Sequence, residues 1–158
     1  MKMSTKGQYA LEIVVDLAMH RDAGSLESLK SIADRRKLSE KYLERIIRAL
    51  KQQGIVSSVR GAYGGYCLAK KPEELSVKEV LTAVEGELAP VHCLTKESDC
   101  GISCDLCPTR DTWEMMWEAI TDTTARITLA DILGSMENQR KKDSGKIRAG
   151  KITAEKTD

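Results

Sequence analysis

The chain has 158 residues, of which 41% are hydrophobic and 31% charged; that suits one packed domain, or one small domain with an appendage, and excludes wholesale disorder. The formal net charge is only +1, but residues 1–71 carry +7, residues 72–137 carry −10 and residues 138–158 carry +4, as in an anion-binding module joined to a non-binding one. No run approaches the roughly eighteen uninterrupted apolar residues of a membrane span, and residues 1–7 hold no export signal, so a cytoplasmic protein with reduced or metal-bound cysteines is expected.

Phe is absent and aromatics are 4%, so the core must rest on Leu, Ile, Val, Met and Ala, a palette suited to packed helices. Thr5 to His20 reads as a first helix, with Tyr9, Ala10, Ile13, Val14, Leu17 and Ala18 on one face. Ser25 to Arg36 reads as a second, burying Leu26, Leu29, Ile32 and Ala33. Ser39 is an N-cap for a third helix running to Gln53, with Leu43, Ile46, Ile47 and Leu50 inward, Lys41, Arg45, Arg48 and Lys51 opposite, and Gly54 closing it. Residues 55–59 and 66–69 are β-rich and flank the glycine-rich turn 60–65. Two short helices followed by a hairpin predict a winged helix-turn-helix over residues 1–71, with the third helix placed for the major groove and the hairpin for the backbone or minor groove.

Pro72 closes that module. Ser76 caps a short helix bearing Val77, Val80, Leu81 and Val84, and Gly86 ends it. Residues 87–106 form a polar, cysteine-bearing loop, long enough to imply a function. Thr109 to about Arg126 is a longer helix with Trp113, Met116, Trp117, Ile120, Thr124 and Ile127 along one side, a surface suited to a second subunit. Residues 129–136 make a last short helix, and residues 138–158 read as a basic, disordered tail. The expected fold is therefore mainly α, with a β-hairpin wing and a long C-terminal dimerisation helix, and residues 72–137 form a cysteine-loop sensor and dimerisation region.

Two places carry chemistry. The first turn of the third helix presents Ser39, Glu40, Lys41 and Tyr42, with Glu44 and Arg45 behind; hydroxyls, a carboxylate and a cation at a helix N-terminus contact phosphates or read base edges. Arg60, followed by Gly61 in the hairpin turn, suits a narrow minor groove. The second place is Cys93, Cys100, Cys104 and Cys107, a C-x6-C-x3-C-x2-C run whose soft thiolates suit an iron–sulfur cluster or zinc. Pro108 suits the first helical position, which would put Cys107 at the N-cap, where the helix dipole favours a thiolate. His92 is a weaker candidate ligand, Cys67 reads as a small core residue, and no arrangement resembles an enzyme active site.

Residues 1 to about 137 resemble the Rrf-type winged-helix transcription regulators, the group with IscR-like, NsrR-like and CymR-like members. The resemblance is carried by Ser4-Thr5-Lys6-Gly7-Gln8-Tyr9-Ala10, Tyr42-Leu43-Glu44, Val59-Arg60-Gly61-Ala62-Tyr63-Gly64-Gly65-Tyr66, Val80 through Gly86, the cysteine loop, and Cys107-Pro108-Thr109-Arg110-Asp111-Thr112-Trp113. It implies a homodimer that binds double-stranded operator DNA through Arg60 and the residues around Ser39 to Glu44, and a cluster held by Cys93, Cys100 and Cys107.

Two departures stand out: Arg110 occupies the place of the histidine that completes the site in IscR-like members, and Gln8 that of the acidic ligand in NsrR-like members. Cys104, outside the family trio, becomes the first choice for fourth ligand and His92 the second. All-cysteine ligation leaves 2Fe–2S and 4Fe–4S open, with 2Fe–2S preferred. The alternatives are a zinc-bound or metal-free repressor responding to a partner protein or thiol oxidation, an electron carrier, and a module for acidic proteins.

Overall fold

The computed structural model describes residues 3–21, 25–96 and 100–154. Helix α1 (Thr5–Met19) starts where the Ser4 hydroxyl accepts from the Gly7 amide at 3.2 Å. Its face of Ala10, Ile13, Val14 and Leu17 is buried as the periodicity requires. Helix α2 spans Leu29–Arg36 and α3 spans Glu40–Gln52. The turn between them places Lys37 at φ 53°, a left-handed conformation that a non-glycine residue adopts at a cost of about 1–2 kcal/mol. Ser39 caps α3 as expected, accepting from the Tyr42 amide at 3.3 Å.

The helix expected from Ser25 begins only at Leu29. Ser28 caps it, and Glu27 just before it is drawn into the wing: its amide donates to the Tyr66 carbonyl at 2.9 Å and its carbonyl accepts from the Tyr66 amide at 2.8 Å. Strands β1 (Val56–Val59) and β2 (Gly65–Leu68) form an antiparallel hairpin, with Ser58 opposite Tyr66 and Val59 opposite Gly65. Glu27 thus adds one residue of a third strand. A Cβ on Gly65 would sit 2.7 Å from the Glu27 carbonyl oxygen, so that pairing requires glycine there.

Helix α4 (Val77–Glu85) opens on a capping box between Ser76 and Glu79. It packs on α1 and α3, so Leu75, Val80 and Val84 share one core with α1–α3 and the hairpin residues Ile55, Val56 and Leu68. Helix α5 (Arg110–Arg126) packs on α4, and a backbone bridge joins residues 75–77 to 127–129. Leu129, at the start of α6 (Leu129–Ala154), completes the core.

Two expectations are corrected. The last helix does not stop at Met136 but runs to Ala154, into the stretch expected to be a disordered tail, of which residues 155–158 lie outside the described residues. Residues 137–142 (Glu, Asn, Gln, Arg, Lys, Lys) include straight-chain helix formers and no proline, so an established helix extends through them at little cost. Pro108 is not the first helical residue either: Thr109 is the N-cap of α5 and Cys107 lies two residues before it. Among the described residues, no helix is long and apolar enough to cross a membrane.

Candidate nucleic-acid interface and cysteine loop

Four inward residues of α3, Leu43, Ile46, Ile47 and Leu50, are buried, which turns Glu40, Lys41, Glu44, Arg45, Arg48 and Lys51 to solvent. Ser39 is also exposed, with its hydroxyl engaged in capping α3. Tyr42 is half-buried and its ring stacks edge-on against Tyr9 with centroids 5.9 Å apart. It therefore anchors the start of α3 on α1 as well as facing the surface. Glu44 pairs with Arg48 one turn on, at 3.3 Å. Lys51 donates from Nζ to the Ser58 hydroxyl of β1, tying the end of α3 to the wing.

Arg60 and Gly61 lead the wing turn and both are exposed. Gly61 has φ 124°, and its carbonyl accepts from the Gly64 amide at 3.0 Å. A Cβ on Gly64 would lie 2.2 Å from the Val59 carbonyl oxygen, so the tip closes too tightly for any other residue. The turn holds Tyr63 out at 97% exposure. Reading the sequence did not single out Tyr63, although a tyrosine inside a glycine hairpin turn has no core to enter, and that was the available signal.

Behind this surface lies Asp16, also not anticipated. Its carboxylate is 2% exposed and accepts from Arg35 at 2.7 Å and from Arg36 at 3.0 Å. Burial opposes ionisation, but the Arg35 hydrogen bond and the charges of Arg36 and Arg35 outweigh it and hold the carboxyl below the usual carboxylate range. Arg35 also reaches Glu27 at 2.6 Å. One guanidinium thus connects α1, α2 and the residue that pairs with the wing.

On the loop, Cys93 sits in a 3-10 turn (His92–Leu94) and is half-buried, while His92 is exposed. Cys100 and Cys104 are exposed, and Cys104 begins a second 3-10 turn ending at Leu106. Cys107 is half-buried, 3.6 Å from the Thr109 hydroxyl. That hydrogen bond, the amides of Thr109 and Arg110 and the Arg110 charge lower its pKa. The direction expected for Cys107 is kept, although its main source is the Thr109 hydroxyl, helped by the amides at the entry to α5, and not an N-cap position. Cys67, in β2, is half-buried and unpaired.

All five cysteines are free thiols, so the donors on the loop suit a soft, thiolate-bound metal. Among the described residues, however, no three His, Cys, Asp or Glu groups are gathered where they could hold a metal ion. The loop brings the right atoms into one segment without closing them on a centre.

Residues 3–135 match the Rrf2 family, described as an iron-dependent transcriptional regulator. The chain is 35% identical over 140 residues to the HTH-type transcriptional regulator CymR of Bacillus subtilis, covering 89% of this chain and 95% of that protein. It is 35% identical over 137 residues to the HTH-type transcriptional regulator IscR of Pectobacterium atrosepticum, covering 87% of this chain and 82% of the relative. The solved structure of T. potens IscR superposes with a TM-score of 0.71 at 39% identity, covering 88% of this chain and 90% of that one.

Proposed function

The chain belongs to the Rrf2 family of DNA-binding transcriptional regulators, and from that premise we propose that its operator affinity is set by an iron–sulfur cluster on the cysteine loop. It is a regulator and not an enzyme, as its relatives are. Cys93, Cys100 and Cys107 would hold the cluster, with Cys104 as fourth ligand. A bound cluster would supply thiolate-ligated iron, sensitive to oxidation, nitric oxide and cluster supply.

The observation that carries this reading is the seating of Cys107 at the start of α5, its Sγ 3.6 Å from the Thr109 hydroxyl and its carbonyl accepting from the Arg110 amide at 3.3 Å. Drawing Cys107 toward Cys93 and Cys100 would pull on that helix end. Helix α5 packs on α4, and α4 on α1 and α3, so the loop is linked mechanically to the surface that carries Ser39 to Glu44. A coupling of about 1–3 kcal/mol would change affinity some 5–150-fold. Helix α5 has no buried residue, and Met115 and Met116 are exposed on it. Covering that helix in a homodimer would set two reading heads on half-sites about 34–36 Å apart, or a multiple of that. A cytoplasmic location accords with this role.

The test is iron and sulfide analysis of protein purified without oxygen, with DNA binding by loaded and stripped protein and sedimentation for the dimer. Arg60→Ala is expected to lower DNA affinity in both states with iron content unchanged. Cys100→Ala is expected to remove iron and leave a folded dimer; unfolding would instead assign a structural zinc. Colourless protein indifferent to chelators would overturn the cluster. A second reading, a metal-free regulator responding to a partner protein or thiol oxidation, is favoured by the ungathered thiols and by the likeness to CymR; it predicts operator binding by iron-free protein at full strength.

A further inference from the structure

Glu44, Ile47, Arg48, Lys51 and Gln52 of α3 and Tyr66 of β2 line a cleft of about 330 Å³ between the helix and the wing. Its floor is apolar, with Ile47 buried and Tyr66 half-buried, and its rim is polar and exposed. Lys51 reaches across to Ser58, which is the cross-strand partner of Tyr66, so its ammonium is held on the wing side. Arg48 stands on the helix side. Of its five N–H donors, Glu44 takes one through an exposed pair that is easily exchanged.

The two grooves of a duplex are divided by a single sugar–phosphate strand. A protein that lays a helix in the major groove and a wing in the adjoining minor groove must straddle that strand. The only course for it is the gap between the two elements, and here that gap is the cleft. Resting on the DNA-binding reading, we infer that the α3–wing cleft seats the phosphates of this strand, with Arg48 and Lys51 as the charged contacts. Neither residue reads a base; they fix the depth to which α3 and the wing enter their grooves together.

The experiment uses the full chain and a duplex that the wild-type protein selects from a random 30-bp pool, with a scrambled duplex beside it. For Arg48→Gln and Lys51→Gln, the slope of log affinity against log salt is expected to shrink by about 0.9 each. The loss should be the same factor on both duplexes. Ethylation of a phosphate that blocks wild-type binding should no longer matter to the double variant. Ser58→Ala, which removes the Lys51 partner and keeps the charge, should leave the slope unchanged; if it shares the loss, Lys51 acts by holding the wing and the seat is refuted. An unchanged slope in the Gln variants, or a loss confined to the selected duplex, also overturns the seat. Wild-type protein that binds no duplex would overturn the DNA-binding reading together with it.

Discussion

Asp16→Asn is nearly isosteric, so it deletes a charge from the core without opening a cavity. The Asp16 carboxylate, 2% exposed, accepts from Nε and Nη2 of both Arg35 and Arg36, at 2.7–3.2 Å. Breaking one partner of a buried ionic set costs about 3–5 kcal/mol. Here the two arginine side chains are 32% and 24% exposed and can turn toward water, which puts the expected loss at the lower end, about 3 kcal/mol. For a chain of this size that lowers Tm by about 6–12 °C. Urea unfolding at pH 7 measures it directly. The folded-state pKa of Asp16 is lowered, so its contribution is complete above the ordinary carboxylate pKa of about 3.9 and is lost as pH falls through the depressed value. The stabilities of wild type and variant should therefore converge below about pH 4. Because Arg35 also holds Glu27, which pairs with Tyr66, DNA affinity should fall by more than the unfolded fraction explains. A difference under about 1 kcal/mol at pH 7, or one that persists undiminished in acid, refutes the reasoning.

Gly64→Ala forces a Cβ to within 2.2 Å of the Val59 carbonyl oxygen; the wing must rearrange, and DNA affinity is expected to drop about tenfold or more, a cost of about 1.4 kcal/mol, with helical circular dichroism unchanged. Tyr63→Ala removes a ring that touches almost nothing in the protein, so stability should stay within about 0.5 kcal/mol. If the ring meets DNA, affinity should fall in a mobility-shift titration with no change in salt slope, because no charge is removed.

The helical core was legible because its signals are local. The apolar spacing of α1, α3 and α4 and the caps Ser39 and Ser76 depend only on near neighbours in sequence. The start of α2 was misplaced because Glu27 is claimed by a strand far along the chain, a pairing that no local pattern announces. Asp16 escaped notice for a related reason. It lies beside the apolar face of α1, and only the arrival of Arg35 and Arg36 from α2 makes its burial tolerable. Long-range compensation of that kind leaves no periodic trace.

The two halves of the candidate site differed in legibility for a physical reason. The surface of α3 and the wing is held by the core, so placing the helix and the hairpin also placed Arg60 and Glu44. The cysteine loop has no such support: Cys100, Gly101, Ile102, Ser103, Cys104, Asp105 and Leu106 are all exposed, Leu106 at 78%. Spacing could name its donors but not bring them together, because little packing within the chain determines their separation. A segment with ligands of the right type and no core of its own would take its shape from a metal if it bound one, and binding free energy would then serve as folding free energy. Iron loading should therefore slow amide hydrogen exchange across residues 100–107 and at the first turn of α5, and leave α1–α3 unchanged. Exchange on the loop that is already slow in metal-free protein, or unaltered by iron, would show that the chain alone sets its conformation and would remove the physical basis for sensing there.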